Sequence, residues 1–172
     1  VWTIEEDAQK NVWIGTYSGG LCYLNFQETS RFRTFSPREN GLNHKVVSGF
    51  AEDDESLWIA TEGGGVNRMN KKTGEFRYYT HNPSRNSLTY DNVKSLLIDP
   101  SQNLWVAMYR GGLDCFSHKT SAFKRFNKDY RSDNGMLTND LRKIILEADS
   151  GLWISYQSTG ISFYSFATDR FT

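Results

Sequence analysis

The side chains in this sequence best suited to holding a ligand are grouped at four short polar tips. Tyr17 and Ser18 form the first, Glu62 the second, Tyr109 and Arg110 the third, and Tyr156, Gln157 and Ser158 the fourth. Aromatic faces beside carboxylate, amide and guanidinium groups suit a sugar, whose C–H faces stack on rings and whose hydroxyls need paired hydrogen bonds. The candidate ligand-binding residues are therefore Tyr17, Glu62, Tyr109, Arg110, Tyr156 and Gln157. The longer segments between tips add Arg38, Asn40, His44, His81, Arg85, Asn86, Tyr90, Tyr130 and Asp133. Any one of these also reads as an ordinary solvated loop residue, so the case rests on their sharing one face.

Catalytic chemistry is harder to assemble. His44, His81 and His118 have no zinc-site spacing, and His118 falls in a turn at the opposite end from the other two. No serine stands in a nucleophile elbow, and no glycine-rich loop runs into a Lys-Ser/Thr pair that would cradle phosphate. General acid–base work would need two converging carboxylates. Glu62 and Asp133 are the only suggestive acids, and nothing in the sequence brings them together. No catalytic residue, metal ligand or cofactor is expected. Cys22 and Cys115 sit in different repeats and read as buried small residues rather than a disulfide or metal pair. Asp53-Asp54-Glu55 reads as a solvated turn, because Pro100-Ser101-Gln102 and Asp149-Ser150-Gly151 do not repeat its charge.

Twenty basic residues balance twenty acidic ones, with no basic stripe, so nucleic acid is not an expected partner. Mean hydropathy is −0.61. No apolar run approaches the ~20 residues of a membrane-spanning helix, so this segment is not expected to insert in a bilayer. The 15% aromatic content excludes a disordered chain. Val1-Trp2-Thr3-Ile4 does not read as a secretory leader.

What positions the tips is a repeat. Trp13, Trp58, Trp105 and Trp153 are 45, 47 and 48 residues apart, and Gly20, Gly65, Gly112 and Gly160 keep the same spacings. Phe32, Phe76, Phe123 and Phe171 follow in nearly the same register. Within residues 93–126, a β-branched run, a Pro-Ser-Gln-Asn turn and the Leu104–Met108 run predict two strands. The Gly111-Gly112 reversal, the Leu113–Phe116 run, a His-Lys-Thr-Ser turn and a Phe-rich run predict two more. Four short strands per unit with a period in the forties indicate an all-β fold of β-propeller blades. Four four-stranded antiparallel blades are expected in one partial propeller domain, 1–172, with repeats at about 1–45, 46–92, 93–140 and 141–172. The tryptophans should pack blade on blade, and the glycines should supply the positive φ of the hairpin tips. The leucines of Gly41-Leu42, Ser87-Leu88 and Met136-Leu137 should tuck each crossover onto its neighbour.

The residues Asn103-Leu104-Trp105-Val106-Ala107, then Gly111-Gly112-Leu113, then a Lys-Thr-Gly-like turn and Phe-x-x-Phe, resemble the two-component regulator propeller repeat. Glu6-Asp7 ahead of Asn11-Val12-Trp13-Ile14-Gly15-Thr16 is the nearest match, and Ser158-Thr159-Gly160 in the fourth unit departs most. The resemblance implies the periplasmic sensor region of a Bacteroides-type hybrid two-component histidine kinase, detecting oligosaccharides and controlling polysaccharide-utilisation genes. This segment would then be a non-catalytic sensing module without kinase machinery. A protein-interaction or dimerisation scaffold is the alternative, and a streptogramin-lyase-like propeller a third reading. Four blades form only an arc, so the expected partners are an oligosaccharide and either further blades or a second copy closing an eight-bladed ring.

Overall fold

The computed structural model describes residues 1–25, 32–37, 41–128 and 135–172. Every regular element among them is a β-strand. Blade 1 comprises β1 (Thr3–Glu6), β2 (Val12–Gly15), β3 (Leu21–Leu24) and β4 (Arg33–Phe35). Blade 2 comprises β5 (Val47–Glu52), β6 (Ser56–Thr61), β7 (Gly65–Asn70) and β8 (Phe76–Tyr79). Blade 3 comprises β9 (Val93–Ile98), β10 (Leu104–Met108), β11 (Gly112–Ser117) and β12 (Ala122–Phe126). Blade 4 comprises β13 (Leu141–Glu147), β14 (Gly151–Tyr156), β15 (Ile161–Ser165) and β16 (Arg170–Phe171). Each sheet runs in sequence order with antiparallel ladders, as the repeat predicts.

The first strands lie innermost and next to one another. Glu5, Ala51, Leu97 and Ile145, one from each first strand, line a single cleft of about 310 Å³. Side chains cross-link these strands: the Ser48 hydroxyl donates to Val93 O at 2.6 Å, and Ile144 N donates to Ser95 Oγ at 3.4 Å. Each blade turns its tryptophan face to the blade that follows. Trp13 packs with Val47, Phe50 and Ile59; Trp58 with Leu104, Val106 and Phe116; Trp105 with Ile144, Leu152 and Tyr164.

This stacking explains the burial along the second strands. β6 and β10 are covered on both faces and buried at every residue, so Leu57–Ala60 and Leu104–Met108 run continuously apolar rather than alternating. β2 and β14 each have one uncovered face. Trp58 is wholly buried, whereas Trp153, at the same position in blade 4, is 41% exposed because none of the described strands covers that face.

Four expectations need correction. In the third crossover Met136 is fully buried while Leu137 is 43% exposed, so Met136 fills the place of Leu42 and Leu88. Phe32 lies outside β4 and is exposed; Phe35, 6.2 Å from Phe76, supplies the aromatic packing there. Cys22 and Cys115 are only half-buried. The acidic turn does repeat, in a register that the one-residue-shorter turn of blade 2 obscures. Asp7, Asp53, Asp99 and Glu147 each accept a hydrogen bond from the indole N–H of their own blade's tryptophan, at 2.7 to 2.8 Å.

The glycine at the first three tips is set by close approach as well as by φ. At Gly65, with φ +67°, an added Cβ would stand 2.2 Å from Tyr79 O, inside any permitted contact. The fourth strand can close onto the tip only because no side chain is there.

The third strand anchors the incoming crossover. Asn67 Oδ1 accepts Asn43 N at 2.9 Å, and its Nδ2 donates to Asn43 Oδ1 at 2.7 Å. Asp114, at the same position one blade on, accepts Thr89 N at 2.7 Å and Thr89 Oγ1 at 2.9 Å. Burial raises the Asp114 carboxyl to about 6, against the Thr89 donors and the nearby Arg125 and His81.

Candidate functional site

The upper end of the blades carries the tips between second and third strands, and the crossovers return to it. Tyr17 is 63% exposed, with its ring centroid 5.6 Å from that of Trp2, itself half exposed. Trp2 stands just before β1, the innermost strand of blade 1, and escaped the reading of the tips alone. Glu62 follows β6, donates its N–H to Val46 O, and brings Oε1 to 2.7 Å from Lys94 Nζ in the next blade. Tyr109, the matching tip residue of blade 3, lies with its ring 5.7 Å from the same ammonium. Lys94 therefore joins the tips of two adjacent blades. Arg110 follows, its guanidinium 5.3 Å from the Tyr109 ring centre and its N–H donating to Asp140 Oδ1 at 3.1 Å. Gln157 is exposed, accepts Arg142 Nη1 at 3.3 Å through Oε1, and donates its N–H to Asp140 O at 2.8 Å.

Tyr156 is not on this surface. It is buried at the end of β14 with its hydroxyl 2.7 Å from Ser162 Oγ, inside the core shared with Trp105 and Ile144. The reason is register. Tyr17 and Tyr109 stand four residues after their tryptophans, whereas Tyr156 stands three after Trp153, in the buried position of Thr61 and Met108. Gln157 is the true tip residue of blade 4.

The structure brings Glu62, Tyr109 and Arg110 together, with Gln157 tied in through Asp140. Tyr17 is placed with Trp2 on blade 1. Among the crossover candidates, Asn86 is spent on the edge of blade 3, accepting Phe123 N and donating to Phe123 O. His81 Nδ1 meets Leu88 O at 2.8 Å, and His44 Nδ1 accepts Val46 N at 3.3 Å. Arg38, Asn40, Tyr130 and Asp133 lie outside the described residues. At the other end, His118 packs edge-on against Trp58 and Phe116, a core role.

Lys94 and Arg142 were missed as well. Each is the extra residue of a β-bulge in an innermost strand, where the pairing skips it, and Ser48 is the third member of the set. A bulge re-aims the side chain it carries. The visible signal was a charge as the second residue of a strand run, in Val93-Lys94-Ser95 and Leu141-Arg142-Lys143. A second recess of about 450 Å³ lies beside the first tip, lined by Ser18, Ser36, Pro37, Asn43, His44 and Lys45. Among the described residues no cluster of His, Cys, Asp or Glu has the make-up of a metal site, and no helix is long and apolar enough to cross a membrane.

Comparison with known proteins follows the same lines. Residues 1–18 match the two-component regulator propeller model. The likeness of the other repeats rests on their own residues. No curated protein matches the chain. The extracellular domain of a hybrid two component system of B. thetaiotaomicron superposes with TM-score 0.82 at 23% identity, covering 98% of this chain and 24% of that one. The corresponding domain of a second such system gives TM-score 0.81 at 20% identity, covering 99% and 24%. This chain thus spans about a quarter of those structures. A catalytically inactive virginiamycin B lyase from Staphylococcus aureus, with quinupristin, superposes at TM-score 0.65 and 14% identity, covering 98% of this chain and 53% of the enzyme. At these identities the likeness shows the propeller fold.

Proposed function

We propose that these blades are part of the extracytoplasmic sensor propeller of a hybrid two-component system, a non-catalytic module that recognises an oligosaccharide on its upper face. The observation that carries the reading is Lys94, which ties the Glu62 and Tyr109 tips of two blades into one polar and aromatic surface. Sugars are recognised by such mixtures of ring faces and fixed donors and acceptors. The match of residues 1–18 and the two extracellular relatives support the sensor assignment. A periplasmic location, a downstream kinase and control of polysaccharide-utilisation genes belong to the same proposal. Titration calorimetry of the full native chain against a panel of oligosaccharides tests it. Binding that Tyr109→Ala or Lys94→Ala weakens is expected. A panel without a single binder, beside tight binding of a protein, would overturn it.

A scaffold role is the second reading, favoured by the apolar surface of blade 4. Ile145, Trp153 and Ile161 are exposed on the side where every other blade meets a neighbour. Under that reading the blades transmit a signal without touching ligand, and Tyr109 and Arg110 substitutions leave ligand affinity unchanged.

A further inference from the structure

We infer that the upper face at blades 3 and 4 is a subsite for an acidic oligosaccharide, with Arg110 and Arg142 holding its carboxylate or sulfate groups. The inference rests on the oligosaccharide reading above and narrows it to a charge class.

The cations of this face are not equivalent. Lys94 is committed to Glu62 at 2.7 Å. Arg110 and Arg142 have no carboxylate ion-pair partner among the described residues. Arg110 lies over the Tyr109 ring, and Arg142 Nη1 reaches the neutral Gln157 amide. Asp140, two residues before Arg142, has Oδ1 turned to the Arg110 N–H. Asp140 also fixes the two arginines relative to each other: it takes Arg110 N on its side chain and Gln157 N on its backbone carbonyl, two residues before Arg142. Two guanidinium forks are thus tethered to one short segment without a matching anion among the described residues. The guanidinium fork fits carboxylate and sulfate oxygens in paired hydrogen bonds, which a hydroxyl cannot match.

The backbone at Arg110 points the same way. Its φ is +66°, a left-handed conformation that a residue with a β-carbon adopts at a cost. The same tip position in blade 2 is Gly63, at φ +123°, where the cost vanishes. An arginine kept where glycine suits the backbone better argues that its side chain is used. The bulge at Arg142 makes a parallel case, since it turns a charged residue of the innermost strand out of the ladder.

Calorimetry on the full native chain tests this with trigalacturonate, a sulfated chondroitin tetrasaccharide and neutral cellotetraose, at about 50 and about 300 mM salt. The acidic probes are expected to bind, and to bind more weakly at the higher salt. Arg110→Gln and Arg142→Gln should each lower that affinity by about tenfold or more, the usual range for a lost charge-assisted hydrogen bond. Arg110→Gly should do the same while the protein becomes no less stable, which separates lost recognition from lost folding. Of the two acidic probes, the tighter one identifies carboxylate or sulfate as the preferred group. Binding of cellotetraose alone would overturn the acidic subsite and leave the oligosaccharide reading standing. Binding of neither class would overturn both. Acidic-probe affinity that survives both glutamine substitutions would overturn the assignment to these arginines.

Discussion

Trp105 Nε1 donates to Asp99 Oδ2 at 2.8 Å, and Asp99 Oδ1 accepts the Asn103 N–H at the same distance. One carboxylate thus locks the turn between the first two strands to the ring that fills the next blade interface. Asp7 does likewise for Trp13, also accepting Gln9 N and Asn11 N. Burial pushes the Asp7 carboxyl up, but its bonds from Asn11, Trp13 and Gln9 outweigh that and hold it below the usual carboxylate range.

Asp99→Ala should therefore destabilise the protein by about 3 kcal/mol, because it strands a buried indole N–H and a turn amide together. Glu147→Ala removes the same bond from the exposed Trp153 and should cost under about 1 kcal/mol, since water replaces the acceptor. Urea titration of the two variants checks the contrast, and equal losses would contradict it.

Trp58→Ala should cost about 3–5 kcal/mol through the cavity left between blades 2 and 3. Trp153→Ala should cost about 1 kcal/mol in these 172 residues, where one face of the ring meets water. A loss at Trp153 as large as at Trp58 would show that another surface covers blade 4 in solution.

The four tryptophans alone carried most of the fold, because a side chain that must fill an interface recurs at a fixed place in every blade. What pairs with each tryptophan was not legible. The turn between Asp53 and Trp58 is one residue shorter than its three counterparts, which shifts Asp53 out of line with Asp7, Asp99 and Glu147. Tyr156 failed for a similar reason: a one-residue slip moves a strand residue to the other face, and the run of apolar residues gave no sign of where the strand ended. Lys94 and Arg142 were hidden by bulges, which break the strict alternation that makes strand faces readable.

Asp114 gives a prediction for pH. Its carboxyl is raised above the unfolded value of 3.8 to about 6 by burial. The stability tied to its protonation is therefore fully present below pH 3.8 and is lost as pH rises through about 6. Asn67 does the same anchoring work in blade 2 without a charge. Asp114→Asn should thus stabilise the protein by about 2 kcal/mol at pH 7, with the gain shrinking toward pH 4. Thermal unfolding of both proteins across that range checks the sign; a variant less stable at pH 7 would show that the Thr89 bonds to the carboxylate outweigh its desolvation.

Gly65 and Gly160 hold the same place in their blades but different surroundings. Beyond the positive φ they share, an added methyl at Gly65 would lie 2.2 Å from Tyr79 O, whereas at Gly160 the nearest atom is Leu137 Cδ1 at 3.8 Å. Gly65→Ala must therefore push the fourth strand off the tip as well as strain the backbone, and should cost more than about 3 kcal/mol. Gly160→Ala meets only the backbone strain, about 1–2 kcal/mol. Denaturant midpoints of the two variants measure the difference, and equal shifts would mean that backbone conformation alone, and not the closure of β8 over the tip, requires glycine there.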